Sequence, residues 1–551
     1  MQSRQRYRFW IEILLTSLWI AILGWRFRSR SSGPGVAHLI DSYLKESWQT
    51  YQSMARSAVD IFDYMNSLKM PRHDSPTVSP TLRLGGQRKS VELIHCVWRL
   101  HSPPAGGLST DGIWQTATNA DFDLHLMSAY YDSRFVEDFK MNQNSTVQVL
   151  AMADQKMVTG DIPRGSFYCQ FWSPNSTEPA AVVSAPFREI WLKSWDPRTS
   201  FLSPVLISCP VPETLHPVPV NVSITTARCQ QANNLLPIKY VDRSQYQTQN
   251  RSHTVVCVKG MDFLDDISDR LIEWFEAVFL FGADKVIMYT YGVHPSIRRV
   301  LNHYVTQGRL DLVSLTLPPG LPNIPSYRSD YIHRNRQQKR RNEIIPYNDC
   351  LYRSLYSHQF ALIIDIDEVV VPILHSNWSD MLSAVPDPGP KDKWSAFSAR
   401  NAFFFDNLTE SESNSDAVKV GVIDPEIPNM FAHKALETVN IPPQMHMLKH
   451  YYRSRHISLP GIYGKSFVYI PNALTVFTHF PLHKVSSNLH KTIFLSPELA
   501  LKHHYKRDCP VESRDMCPDL VSDKVKDESL LRFKYQLMRR VTETRQLVNA
   551  G

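Results

Sequence analysis

Ala361-Leu362-Ile363-Ile364-Asp365-Ile366-Asp367-Glu368-Val369-Val370-Val371-Pro372 decides the reading of this chain. An apolar run of strand length ends in three carboxylates and then turns apolar again. A Leu/Ile run bounded in this way predicts a buried strand of a parallel sheet, and open α/β sheets bind ligands at the carboxyl ends of such strands. Asp365 and Asp367 stand two apart, so an extended segment turns both to one face. Two hard oxygen ligands on one face suit Mn²⁺ or Mg²⁺, and such an ion can hold a diphosphate. A lone Asp-x-Asp is also common in solvated acidic turns; the residues upstream favour a site here.

Those residues complete a βαβ unit. Val255-Val256-Cys257-Val258-Lys259 predicts a short buried strand. Asp269 to Gly282 carries Leu271, Ile272, Phe275, Val278 and Phe279 at helical spacing and closes on a glycine. Lys285 to Tyr289 and Asp311 to Leu315 predict further strands, with a helix over about Ile297 to Gln307 between them. A long polar helix around Gln337 to Leu355 then leads into the aspartate strand. Strands alternating with helices predict a parallel sheet. Neither a dinucleotide-binding glycine fingerprint nor a phosphate-binding P-loop is present, which removes the main support for those cofactors.

In this order the motifs resemble glycosyltransferase family 92. They are Glu273-Trp274 with Leu280-Phe281-Gly282-Ala283-Asp284, Asn348-Asp349-Cys350-Leu351-Tyr352-Arg353, and Asp365-Ile366-Asp367-Glu368. Gly464-Lys465-Ser466-Phe467-Val468, Thr478-His479-Phe480-Pro481-Leu482 and His504-Tyr505-Lys506-Arg507-Asp508-Cys509 follow. The resemblance covers roughly Thr254 to Cys517. It implies a GT-A nucleotide-diphospho-sugar transferase fold, a UDP-sugar donor (typically UDP-galactose), Mn²⁺ or Mg²⁺, and inverting β-galactosyl transfer to a glycan acceptor.

The resemblance also suggests roles. Asp367 ligates the metal, and Asp365 joins it there or contacts the ribose or a metal-bound water. A carboxyl-terminal histidine often completes such a metal site, and both His504 and His479 match family motifs. Lys259, ending the first strand, and Lys465 are candidate donor contacts. Inversion needs a general base for the acceptor hydroxyl. Asp406, Asp424, Glu426 and Glu437 are available, and Glu437 lies nearest an apolar segment.

At 551 residues the chain is too long for one core. The net charge of +7 is scattered, unlike the concentrated patch of a nucleic-acid binder. The dense run Arg334 to Arg341 reads as a solvated helix face or as a contact to phosphate or an acidic glycan.

The amino terminus points to a membrane. Arg4, Arg6 and Arg8 precede an apolar segment from Phe9 to Trp25, broken by Glu12, which spans about 26 Å as a helix. That length suits a thin early-secretory bilayer, and Glu12 near one end can reach the headgroups. Arg26, Arg28 and Arg30 on the other side leave the positive-inside rule undecided. No small-x-small cleavage site follows, so a single-pass signal anchor in the Golgi membrane, with a lumenal catalytic domain, is expected. Six Asn-x-Ser/Thr sequons agree with a lumenal address: Asn144, Asn175, Asn221, Asn250, Asn377 and Asn407. So do eight cysteines without zinc-type Cys-x₂-Cys pairs. Cys509 with Cys517, and Cys169 with Cys209, are expected pairs.

The expected organisation is a cytoplasmic tail and anchor over 1–25, stem and linker over 26–87, a β-rich domain over 88–250, and the α/β transferase domain over 251–551. The apolar spacing of Val36 to Leu68 suits a stem helix that pairs with a second copy or packs on its own globular part. Short strand-like runs between proline-rich turns from Ser90 to about Thr226 predict an antiparallel β-sandwich. It serves as a support, or binds carbohydrate through surface aromatics such as Trp172 or Trp191. A non-catalytic lectin in which this domain is the working part is the rival reading, and a transferase for another UDP-sugar is a second.

Overall fold

The computed structural model describes residues 93–96 and, with breaks of at most 12 residues, 112–550. They lie within one compact unit, Gly86–Gly551. The expected anchor, stem and linker fall outside the described residues, as do Asn144, Asn250, Asp424 and Glu426. Among the described residues no helix is long and apolar enough to cross a membrane.

The described residues from 112 to 240 form a sheet that rolls over its core. Strands Asp123–Asp132, Thr146–Ala153 and Ser203–Pro210 pair antiparallel along their length. Phe167–Trp172 pairs with Ala181–Ala185 on one side and Asn221–Thr225 on the other. Two corners join these halves. Leu236–Lys239 pairs antiparallel with Asn221–Thr225 through its first residues and parallel with Asp123–Asp132 through its last. Pro186, which cannot donate to a ladder, ends Ala181–Ala185, and Phe187–Glu189 then pairs with Ser203–Pro210. The expected sandwich is therefore one rolled sheet containing a parallel pair. Val147, Val149, Phe167, Phe171, Val205 and Ile207 fill it around the Cys169–Cys209 disulfide.

The two tryptophans proposed as surface platforms are not on the surface. Trp172 is 3% exposed, its Nε1 donating to Ser223 Oγ at 2.9 Å. Trp191 is 5% exposed, its Nε1 donating to the Asp196 carbonyl under the Arg341 guanidinium. The carbohydrate-binding reading of this domain loses its residues.

The remainder is a mixed α/β layer structure. Its elements are β1 (Ser252–Phe263), α1 (Ser268–Leu280), β2 (Lys285–Val293), α2 (Pro295–Thr306), β3 (Leu310–Ser314), α3 (Pro325–Arg334), α4 (Arg336–Arg353), β4 (His358–Ile363) and β5 (Glu368–Pro372). Then come β6 (Trp394–Phe405), β7 (Lys465–Tyr469), β8 (Ala500–Lys506) and α5 (Lys534–Ala550). The sheet runs β3-β2-β1-β4-β7-β6-β8-β5, the first four strands parallel. Burial on both faces follows the strand period of two. Val256, Val258, Leu362 and Ile364 pack with α1, α2 and α5, whereas Val255, Cys257, Ala361 and Ile363 face α4.

Helix α4 reads as polar yet is buried for most of its length. It is packed between the two sheets, and its polar residues serve the join. Gln338 bonds the Leu202 backbone, Arg341 donates to the carbonyls of Asp196 and Arg198, and Asn348 bonds the backbone of Val476. Leu150 and Leu206 of the first sheet, and Ile190 just after its strand Phe187–Glu189, share its apolar cluster. The Cys257–Cys350 disulfide ties α4 to β1, and Cys96–Cys229 and Cys509–Cys517 complete four bridges that use all eight cysteines. The basic run divides accordingly: Arg334 is exposed and Arg341 is fully buried.

Candidate active site

The order β3-β2-β1-β4 places a reversal of strand order between β1 and β4. Open parallel sheets have a crevice at the carboxyl ends of strands flanking such a point. Here β1 delivers Lys259 and β4 delivers Asp365. They lie beside a cavity of about 480 Å³, within the range of small-molecule sites, whose lining also includes Tyr291, Lys339, Glu343, Asp367 and Lys506.

The aspartates are not on an extended strand as expected. β4 ends at Ile363, and the Glu368 N–H donates to the Asp365 carbonyl at 3.1 Å, closing a turn before β5 starts. The turn separates the two side chains. Asp365 Oδ1 lies 3.2 Å from Lys259 Nζ and accepts from Tyr347 OH at 3.1 Å, while Lys465 Nζ donates to Oδ2 at 3.1 Å. Asp367 Oδ2 accepts from Lys506 Nζ at 2.6 Å and lies 3.6 Å from His504 Nε2. Glu368, 2% exposed, accepts from Lys502 and stands 3.5 Å from Lys465 Nζ. β5 pairs antiparallel with β8, setting Glu368 opposite His504. Trp274 of α1 anchors the turn's end by donating to the Glu368 carbonyl at 2.9 Å.

Packing here is close. A Cβ at Gly464 would sit 2.8 Å from the Ala399 carbonyl oxygen, so only glycine lets β7 start there and aim Lys465 inward. The charges support one another. Against burial, which favours the neutral acid, Lys259 and Lys465 hold Asp365 well below the usual carboxylate range. Against the same pull, His504 and Lys506 hold Asp367 low. Lys259 is raised in turn by Asp365 and Glu343 despite its burial. Asp365 and Asp367 are therefore anions near neutrality.

The donors around Asp367 fit a divalent ion. A carboxylate oxygen and an imidazole nitrogen face each other at 3.6 Å, and the Asp367 side chain is 38% exposed. His504 Nδ1 is buried without a hydrogen-bond partner among the described residues. Asp365 differs, because lysines approach both of its oxygens. His479 is also placed apart from Asp367 in its contacts. Its Nδ1 bonds the Gly464 carbonyl at 2.6 Å, its ring packs near Trp195, and burial pushes it down to about 3.

Glu437 lies on strand His433–Asn440, opposite Val420 of Ala417–Ile423. Asp406, another candidate base, starts the short turn Asp406–Leu408 after β6, with Oδ1 2.9 Å from His450 Nε2. Asp406, His446 and His450 form a group whose ligand atoms all lie within 4.8 Å of one another. Of the sequons described, Asn175 and Asn407 are exposed and Asn221 is half-buried at a strand start. Asn377 caps the helix Trp378–Ser383, its Nδ2 donating to Asp380 Oδ2 at 2.8 Å.

The family model for glycosyltransferase family 92 matches residues 252–541. The chain belongs to glycosyltransferase family 92. Among curated proteins no match is found. The family implies a nucleotide-sugar donor and a glycan acceptor, and the matched span contains the whole charged crevice.

Sequence reasoning gave no site role to Lys502, Lys506 or Glu343, and took Lys339 only as part of the basic run. A signal existed for each. Lys502, His504 and Lys506 alternate along β8 and so share one face, and Lys339, Glu343 and Tyr347 recur every fourth residue along α4. What the sequence lacked was the pairing of β5 with a strand more than a hundred residues away.

Proposed function

We propose that the chain is an inverting glycosyltransferase that moves galactose from UDP-galactose to a glycan acceptor. The observation that carries this reading is the set of lysines and carboxylates at the strand-order reversal, beside a cavity of ligand size. The four parallel strands with a mixed extension support the GT-A reading.

Lys259 and Lys506 are partly exposed and held only by carboxylates, so a donor diphosphate can take them over as counter-charges. Lys465, 1% exposed, keeps Asp365 in place throughout. Asp367 and His504 would hold Mn²⁺ or Mg²⁺, which when bound stabilises charge developing on the leaving diphosphate. The acceptor oxygen attacks the anomeric carbon as its bond to the β-phosphate oxygen breaks, and a base takes the hydroxyl proton. Glu437, on strand His433–Asn440, is proposed as that base.

The four disulfides and the lumenal sequons support an oxidising secretory compartment. We place the chain in the Golgi membrane, anchored through Phe9 to Trp25, with a stem able to pair two copies. The test incubates the purified full chain with manganese, a mixed glycan pool and each of several UDP-sugars, and reads the product by NMR. A β-linked galactoside is the expected product. An α-anomer refutes inversion, preference for another sugar replaces galactose, and no transfer from any nucleotide sugar overturns the reading.

A further inference from the structure

We propose that Asp406, His446 and His450 form a second cation site, for a divalent metal of the zinc class, separate from Asp367 and His504. The geometry begins with hydrogen-bond polarity. His450 Nδ1 lies 2.7 Å from the His446 carbonyl oxygen, which can only accept, so Nδ1 carries a proton. In the neutral ring Nε2 then presents a lone pair, and 2.9 Å away stands Asp406 Oδ1, also an acceptor. Two acceptors at that distance need something between them. It is either a proton, carried by His450 or by Asp406, or a metal ligated by both.

His446 favours the metal. Its ring has no hydrogen-bond partner among the described residues and lies tilted against that of His450, with ring centres 4.3 Å apart, within reach of the same ion. Metal-binding histidines are oriented by a bond from their other nitrogen, as His450 is by the His446 carbonyl. The loop is also pre-set. Glu273 of α1, fully buried, accepts the backbone N–H groups of His446, Met447 and Leu448 at 2.6, 2.9 and 3.1 Å. Such a clamp spends a buried carboxylate on holding three consecutive backbone groups in one conformation.

Two imidazoles and one carboxylate suit zinc better than magnesium or calcium, which prefer oxygen alone. Three protein ligands with one side open are the pattern of a reactive rather than a structural zinc site. The open side has somewhere to lead, since His446 lines both the crevice cavity and a neighbouring one of about 380 Å³. Tyr505 separates the two metal positions, its N–H donating to the Asp367 carbonyl and its ring packing near His446. On the reading of the crevice as the donor site, the ion's open position would take an acceptor hydroxyl. That role rests on the proposed function; the metal site itself does not.

The test measures metal without turnover. Purified full chain is stripped with chelator and titrated with Zn²⁺, and with Co²⁺ as a visible-absorption probe. Wild type and Asp367→Asn should each bind zinc at the site and give the Co²⁺ spectrum of mixed nitrogen and oxygen ligation. Asp406→Asn, which keeps a hydrogen bond to His450, and His446→Ala should each weaken zinc binding by about tenfold or more and lose the spectrum. Thermal melts separate loss of ligands from loss of fold. Zinc binding unchanged in both variants, or no zinc bound by folded wild type, overturns the site and leaves an imidazolium–carboxylate pair. Intact zinc binding in a chain that transfers no sugar would instead remove the acceptor role alone.

Discussion

Helix α4 serves two carboxylate centres of opposite design. Asp349 is wholly enclosed and accepts from Ser128 Oγ at 2.8 Å, from Tyr130 and Tyr289 hydroxyls at 2.6 Å, and from Arg353 Nε at 2.6 Å. Asp365 and Asp367 are held instead by lysines and open towards a cavity. In the first centre, short donors on rigid rings fix the anion at the junction of the two sheets. In the second, flexible ammonium groups neutralise anions but can turn to a ligand. A buried anion with permanent partners is architecture; one whose cations can leave is a site.

The comparison breaks first if Asp349 proves dispensable. Against burial, Arg353, Lys239 and the two tyrosines bring its pKa down to about 2, so the folded state depends on its charge. Asp349→Ala leaves two phenols and a guanidinium without their acceptor. Removing one member of such a set costs about 3–5 kcal/mol. Urea denaturation of the full chain should show that loss, and stability within about 1 kcal/mol of wild type would put Asp349 on the same footing as the crevice.

The second expectation concerns function in place of folding. Asp367→Asn keeps the size of the side chain and removes charge from a partly exposed group facing a cavity. Stability should change by less than about 1 kcal/mol, the usual worth of a solvent-exposed ion pair. Transfer should fall by about 10²–10³-fold, the scale of losing one preorganised electrostatic contact to a developing charge. Initial rates with saturating donor measure this. Full activity, or activity unaffected by chelator, would show that the lysines alone neutralise the diphosphate.

Much of the architecture was legible because it is local. The strands at 255, 285, 311 and 361 and helices α1, α2 and α4 follow from apolar spacing and stop signals, and the structure has them within a few residues. The aspartate turn was not legible, because Ile364 and Ile366 continue the strand period through the point where the backbone turns. Burial of Trp172 and Trp191 depends on a rolled sheet and on Arg341, more than a hundred residues away. The Asp406 cluster is likewise non-local, joining the end of β6 to a loop two strands later. Helix α4 shows the same principle in reverse. Its composition predicts a solvated face, yet the residues are buried because two sheets supply partners that no window of sequence contains.

The smallest expected effect tests whether the carboxylate centres are silent above pH 5. Asp349 sits at about 2 and Asp365 and Asp367 are held low, so none of them takes a proton there. Any stability lost between pH 6.5 and 5 must come from elsewhere. His358, at the start of β4 and 8% exposed, is a suitable source, since burial pushes it down to about 4. A base depressed in the folded state is charged more readily unfolded. Its contribution is therefore complete above 6.5 and is lost as the pH falls towards 4. At pH 5.5 the loss should be about 1 kcal/mol, and His358→Gln should flatten the acid limb by that amount while leaving the limb below pH 4 in place. If the Gln variant keeps the full slope between pH 6.5 and 5, the loss comes from the other histidines that burial pushes down, His446, His479, His483 and His503, and only a slope that outlasts their replacement as well would mean that the two carboxylate centres titrate there.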